Sequence, residues 1–152
     1  MPVFKKDILA VCLALPLGAS AQAAGYQVSV MGDAANFVGC LALNESVGIG
    51  FLAVGDSVAL LGNSKALKIA KGDAVSGKWS VDGGTATAYS AKADTLNTVT
   101  IDVPNDAEAV AALTSGKLLT VSNGSNTAKF DLDGSGEAFA NLVSCMVTKS
   151  AP

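Results

Sequence analysis

The cysteines have the widest chemistry of any residues in this sequence, because a thiol can form a disulfide, bind a metal or attack a substrate. The 152-residue chain has three, Cys12, Cys40 and Cys145. Cys12 lies within an apparent signal peptide, so one pair is expected in the mature protein. Redox pairs are usually close in sequence, and metal sites need more than two soft ligands. We therefore predict a structural disulfide between Cys40 and Cys145, closing a loop of about 105 residues and contributing at most roughly 4 to 5 kcal/mol.

A calcium loop is the most specific chemistry that any local motif suggests. Residues 131–137, DLDGSGE, match the first half of an EF-hand loop, with oxygen-bearing side chains at positions 1, 3 and 5. Calcium takes six to eight oxygen ligands, but position 12, normally a bidentate glutamate, is Leu142. The same residues fit a strand end, a turn at Gly134 and a helix capped by Ser135, with Glu137 near its positive end. We prefer this second interpretation and predict no metal and no cofactor.

Paired carboxylates are the remaining route to catalysis, because the chain has no histidine. That absence excludes Ser-His-Asp and Cys-His nucleophile systems and the usual histidine-containing zinc sites. Glycosidases use a pair of carboxylates, and the sequence spacing does not exclude such a pair among four clustered acids: Asp94, Asp102, Asp106 and Glu108. Acids at strand ends and helix N-termini are common solvated residues, so the chain is predicted not to be an enzyme.

Two surfaces for ligand binding are weighed against ordinary packing. Trp79 is the only tryptophan, and Tyr89 is expected across a hairpin whose turn is residues 82–84. Such a pair is more often core or cross-strand packing than an exposed ligand platform. Residues 62–77 are polar and lysine-rich, and are expected to connect two halves of the domain as an exposed excursion or edge strand. The alternative for its lysines, Lys65, Lys68 and Lys71, is a lysine-lined binding surface.

The N-terminus has the three parts of a secretory signal. Lys5 and Lys6 precede an apolar run over residues 8–18, and Ala21-Gln22-Ala23 provides small residues for cleavage. The run is too short to span a bilayer, which needs about 20 residues. We weigh an uncleaved anchor as the alternative and reject a lipoprotein signal at Cys12, since Val11 precedes it. The prediction is a signal peptide over residues 1–23 and a single β-rich domain over residues 24–152, periplasmic or secreted, with no transmembrane segment after cleavage.

The net charge and the type of basic residue limit the classes of molecule that this chain is expected to bind. Removal of Lys5, Lys6 and Asp7 would change the formal net charge from −3 to −4, and every basic residue is a lysine. Mild acidity and the lack of arginine argue against nucleic acid, which arginine reads most often.

Hydrophobic periodicity predicts a mainly β fold: a single antiparallel β-sandwich or barrel-like domain with two short helices and one disulfide. One helix is expected over 106–115, capped by Asn105, and another over 136–146, with an apolar stripe of Phe139, Leu142, Val143 and Met146. The predicted strands are 26–31, 37–44, 47–54, 57–61, 66–70, 78–81, 85–91, 98–103, 117–122 and 127–132.

The order of elements from residue 107 to Cys145 is a short helix, a strand beginning SGKLLTVSNGS, a hairpin and the segment FDLDGSGEAFANLVSC. This order resembles the invasion-associated locus B family and related small periplasmic domains of type VI secretion. The resemblance covers about a third of the chain. That family usually has several tryptophans and a further cysteine pair, from which this chain departs. The resemblance implies a compact β-rich domain that acts through contacts in the envelope or outside the cell.

These observations lead us to expect an exported, non-catalytic binding or accessory protein of the bacterial envelope, with a protein partner. The alternatives are an inhibitor of a secreted hydrolase, a surface or pilus-like assembly subunit, and an enzyme that uses carboxylates alone.

Overall fold

The computed structural model describes residues 25–152, where nine strands form two antiparallel sheets packed together, with two α-helices and no closed barrel. The predicted mainly β fold is therefore confirmed, in its sandwich form. The predicted signal peptide lies outside the described residues. The strands are β1 Gln27–Gly32, β2 Phe37–Asn44, β3 Ile49–Val54, β4 Ser57–Asn63, β5 Ala74–Val81, β6 Thr87–Lys92, β7 Thr98–Asp102, β8 Leu118–Asn123 and β9 Asn126–Asp131, and the helices are α1 Ala107–Ser115 and α2 Ser135–Thr148.

The first sheet has five strands in the order β1-β2-β3-β4-β7, so β3 is central. Short turns join β1 to β4 as a meander, and β7 joins the free side of β4. Because side chains alternate between faces, the register separates two sets of residues. Ala42, Phe51, Leu60 and Ile101 are aligned across the sheet and fully buried, so they define its inner face.

The second sheet has four strands in the order β6-β5-β8-β9. The hairpin predicted at Asp82-Gly83-Gly84 joins β5 to β6, and a second hairpin at Asn123-Gly124 joins β8 to β9. Tyr89 on β6 lies opposite Gly77 on β5, and its hydroxyl donates a 2.9 Å hydrogen bond to the Ser122 carbonyl on β8. A Cβ added at Gly77 would collide with that carbonyl, so the three strands require glycine there.

Residues 66–70, predicted as a strand, are not one. Ser64 accepts a hydrogen bond from the Ala66 amide and caps a 3₁₀ helix at Lys65–Leu67, and Lys68 has a φ of 51°, which ends any extended run. Leu67 and Ile69 are nevertheless buried. The alternation that suggested a strand instead reflects two side chains inserted into the core from the segment that connects the sheets.

The helices form as expected, but their caps differ from the prediction. Asp106, instead of Asn105, caps α1 by accepting a 2.7 Å hydrogen bond from the Ala109 amide. α2 begins after Gly134, whose φ of 81° allows the sharp turn. Ser135 is not its cap, since its buried hydroxyl donates to the Leu113 carbonyl at 2.7 Å and so ties α2 to the last turn of α1. Val143 is 61% exposed and is not part of the packed stripe.

A single set of buried residues joins both sheets and both helices. The Phe51 ring lies 4.5 Å from Phe139 of α2 and 5.9 Å from Tyr26, measured between centroids. Cys40 on β2 is bonded to Cys145 on α2, as predicted, with their Cα atoms 6.2 Å apart. The disulfide and the aromatic contacts hold α2 against the inner face of β1 to β3, so the opposite face of that sheet is turned away from α2.

Candidate functional site

The outer face of the five-stranded sheet carries an apolar cluster. We call this cluster the leucine face. Four leucines form its centre: Leu41 and Leu43 on β2, Leu52 on β3 and Leu61 on β4. Each is partly buried, yet none belongs to the apolar residues that are packed against the core. Met31 and Val54 extend the cluster at one end of the sheet.

The leucines are partly buried because they lie on one another and on glycine. A Cβ built on Gly50 of β3 would lie 3.1 Å from a Cδ1 atom of Leu43 and 3.7 Å from one of Leu41, so these side chains cover the bare backbone of the central strand. A Cβ built on Gly39 would likewise lie 3.1 Å from a methyl carbon of Val54. The result is a low, closely packed apolar surface instead of separate projecting side chains.

Other elements of the described chain pack on the opposite side of this sheet. α2 contacts β1, β2 and β3 on the side of Cys40 and Phe51. The four-stranded sheet also joins the core on that side, where the Phe130 ring lies 3.2 Å from the position of a Cβ at Gly62. Within residues 25–152, the leucine face therefore has no covering element.

Polar and acidic groups surround the leucine face. Exposed Gln27 and Ser29 lie on the β1 edge, Thr100 and exposed Asp102 on the β7 edge. The five strands contain no lysine. The turns at the strand ends are acidic, with Asp33 between β1 and β2, Glu45 between β2 and β3, and Asp56 between β3 and β4. An apolar centre with a polar rim is the arrangement found at protein–protein interfaces.

The segment resembling an EF-hand lines a separate groove of about 420 Å³, between the end of α1 and the start of α2. Asp131 ends β9 and accepts a 2.8 Å hydrogen bond from the Asp133 amide, which forms a turn. Ser135, the ligand expected at position 5, points to Leu113 instead. No group of three or more potential metal ligands is present among residues 25–152. These contacts fit a strand-to-helix turn.

Trp79 lies at the base of a second groove of about 350 Å³, between α1 and the turn that follows β5. It is 3% exposed and Tyr89 is 8% exposed, so the pair is core packing and not an exposed platform. Trp79 is aligned with Thr87 and Tyr89 with Gly77, so the two aromatic residues are in diagonal positions on the sheet instead of directly opposite each other. The indole nitrogen of Trp79 is buried without a hydrogen-bond partner among the described residues.

The four acids considered for catalysis are divided among different places. Asp106 and Glu108 line the groove next to Trp79, and Asp106 also caps α1. Asp102 lines another groove, of about 360 Å³, with Pro104 and Val110. Asp94 accepts a 3.1 Å hydrogen bond from the Thr100 hydroxyl. Only the Asp106 and Glu108 pair shares a groove.

Asp82, predicted only as a turn residue, has a further role. At a φ of 52° its carboxylate accepts hydrogen bonds from the Lys117 amide at 3.1 Å and from the Leu118 amide at 2.9 Å. It thereby fixes the start of β8 against the end of β5. The three lysines of the connecting segment are exposed, and Lys68 lines a small groove with Asp73 and Asn123.

Comparisons with protein-family models, with curated proteins and with solved structures gave no match to this chain. The resemblance to the invasion-associated locus B family stays a prediction. No helix in residues 25–152 has the length and apolar character needed to cross a membrane.

The leucine face was missed at the level of sequence, although its signal is present. The strand sequences FVGCLALN, IGFLAV and SVALLGN have apolar residues at both odd and even positions. A strand that is apolar on both sides usually has both sides buried. Here one side is covered by the core and the other side is not covered by any described residue.

Proposed function

We propose that this chain is an exported, non-catalytic binding or accessory protein of the bacterial cell envelope, which acts by protein contact through the leucine face. The observation that carries the proposal is the apolar centre of that face, Leu41, Leu43, Leu52 and Leu61, outside the core and surrounded by polar and acidic residues. Burying such a surface against another protein is favourable by about 25 cal/mol for each Å² of apolar area removed from water.

Export is supported by two independent features. The Cys40–Cys145 disulfide is a bond typical of oxidising compartments and rare in the cytosol of mesophiles. Residues 1–23 carry the sequence pattern of a secretory signal. Cell fractionation of a bacterial host that expresses the full chain, with thiol labelling under denaturing conditions, tests this part. We expect an oxidised protein shortened by 23 residues in the envelope or the medium. Reduced full-length protein in the cytosol would overturn it.

Contact through the leucine face is tested by placing a photo-reactive amino acid at one position in living cells. Leu52 is the central position, and Leu96 is the matched control, because it is a leucine 66% exposed in the loop before β7. We expect light-dependent adducts at position 52 that are absent at position 96. Identical adduct patterns at the two positions would contradict the proposal.

A further inference from the structure

We propose that the leucine face is the contact surface of a symmetric homodimer, in which two copies of this chain pack sheet against sheet. The inference rests on the proposed function, because it takes the leucine face to be a contact surface and names its occupant. Composition, symmetry and area all favour a second copy as the occupant. Salt should strengthen contact with a second copy, whereas it should weaken contact with a partner of opposite charge.

Composition makes the face self-complementary. Its centre has apolar side chains and glycine backbone without a charged group, and its charges lie in the turns and at the β7 edge. When two identical surfaces meet about a two-fold axis, each residue must tolerate the same kind of environment that it provides. Apolar centres meet this condition, whereas a charged centre would place like charges in contact.

Symmetry selects one orientation of the two copies. Because β3 is the central strand, a two-fold axis along β3 places β2 of one copy over β4 of the other. Leu41 and Ala59 are at the same level on either side of Leu52. This axis therefore sets the large Leu41 of each copy against the small Ala59 of the other, as interdigitating sheets require.

The same axis also places Asp102 favourably. Asp102 is on the β7 edge, so rotation about β3 brings it opposite the β1 edge of the second copy, where Ser29 is exposed and uncharged. An axis across the strands at the level of Leu52 would instead bring the two Asp102 carboxylates together. We therefore commit to the axis along β3.

The area of the whole outer face of the five-stranded sheet, with the leucine face at its centre, suits a weak dimer. Five strands about 4.8 Å apart, followed over about six residues of about 3.3 Å each, form a face of roughly 480 Å². Two such faces bury roughly 1,000 Å² together, which is close to the lower limit of a specific interface. An interface of that size fits a weak, reversible dimer instead of an obligate one.

Salt should strengthen this association. The axis along β3 brings the turn with Asp56 near the turn with Asp33 of the second copy, so carboxylates approach each other at that end of the sheet. Packed sheets are about 10 Å apart, and the screening length is also about 10 Å at an ionic strength of 0.1 M. Added salt therefore reduces the repulsion, whereas a partner with a basic rim would be released by salt.

Sedimentation velocity of the purified, oxidised mature chain, from low micromolar to millimolar concentration, tests the inference. We expect a monomer–dimer equilibrium that shifts towards dimer as sodium chloride is raised. Leu52→Lys should weaken dimerisation by at least about tenfold, since it introduces a charge at the centre of both copies. Leu96→Lys is the matched control and should dimerise as the unmodified chain does. Leu61→Thr, which keeps a residue favoured in strands, gives the same test with less risk to folding.

Three results would overturn the inference: a monomer throughout the concentration range, weakening by salt, or equal weakening by Leu96→Lys. A monomer whose position 52 still forms adducts in cells that position 96 does not would leave the proposed function standing and assign the face to a different protein. A monomer without position-specific adducts would end both proposals.

Discussion

The hydroxyl of Tyr26 is the most unusual polar group of the interior. Tyr26 is 1% exposed, and its oxygen has no hydrogen-bond partner among residues 25–152. Burial, with smaller contributions from Asp131 and Asp133, raises the pKa of Tyr26 to about 12. Because the ionised form is disfavoured in the folded protein, the folded state retains the phenolic proton more strongly than the unfolded state. The stability of the folded protein should therefore fall at a pH high enough to ionise tyrosine in the unfolded chain.

We expect the free energy of unfolding to decrease by on the order of 2 kcal/mol as the pH rises from about 10 to about 12. The decrease begins near pH 10 because a tyrosine in the unfolded chain ionises there. Below pH 10 both states are protonated, and this loss is absent. Tyr26→Phe should remove most of it and should be as stable as the unmodified protein or more so at neutral pH, because no hydrogen bond is lost. Denaturant titrations over that pH range measure the effect. If Tyr26→Phe keeps the full alkaline loss, the assignment to Tyr26 is wrong.

Tyr89 provides the matched control for that comparison. Burial also raises the pKa of Tyr89, but its hydroxyl donates to the Ser122 carbonyl. Tyr89→Phe should therefore cost about 1 kcal/mol at neutral pH, unlike the change at Tyr26.

Ser135 is a second residue whose hydroxyl matters to stability. It is 1% exposed and donates at 2.7 Å to the Leu113 carbonyl, so it joins the two helices. We expect Ser135→Ala to lower the free energy of unfolding by about 1 to 2 kcal/mol, since a buried carbonyl would lose its donor. Ser144→Ala, at an exposed position of the same helix, should change it by less than about 0.5 kcal/mol. Equal effects in a urea titration would show that the contact contributes nothing.

At the scale of elements, the disulfide determines how firmly α2 is held. It connects β2 to the third turn of α2 over a sequence separation of 105 residues. Replacing both cysteines by alanine should cost roughly 2 to 5 kcal/mol. Amide hydrogen exchange should accelerate in α2 more than in β5 or β8, because those strands are in the other sheet. The double variant should then be insensitive to reductant, unlike the unmodified chain. Uniform acceleration throughout both sheets would contradict a local role for the bond.

Elements with regular periodicity could be predicted from the sequence, and those set by tertiary contacts could not. Nine of the ten predicted strands correspond to observed strands, because alternation and turn dipeptides are local signals. Residues 66–70 alternate equally well, yet Ser64 and the positive φ of Lys68 produce a 3₁₀ turn. Ser135 has the composition of a helix cap, but its partner, Leu113, is 22 residues away and invisible to a local pattern. The leucine face is similar: apolar residues on both sides of a strand do not reveal which side is covered.

At the scale of the whole molecule, the two sheets share one core. Its members include Phe51 and Ile101 from the first sheet, Trp79 and Phe130 from the second, and Leu142 from α2. The connecting segment contributes to the same core through Leu67 and Ile69. It contacts β9, and the Asn123 side chain at the end of β8 donates a 2.7 Å hydrogen bond to the Leu67 carbonyl. Neither sheet therefore has a hydrophobic interior of its own, which bears on how the protein unfolds.

Unfolding of residues 24–152 should be a single cooperative transition. Trp79 is the only tryptophan and reports on the four-stranded sheet. The helical far-ultraviolet signal comes from α1 and α2, and the longer of them, α2, is bound to the five-stranded sheet. Because both draw on the shared core, tryptophan fluorescence and helical ellipticity should follow the same curve in denaturant, with one midpoint. Measurement at low protein concentration keeps self-association out of the comparison, and Leu52→Lys serves as a control that should also unfold in one step. Separate midpoints would mean that the sheets fold as independent units. The connecting segment would then be a linker between two domains instead of part of one core.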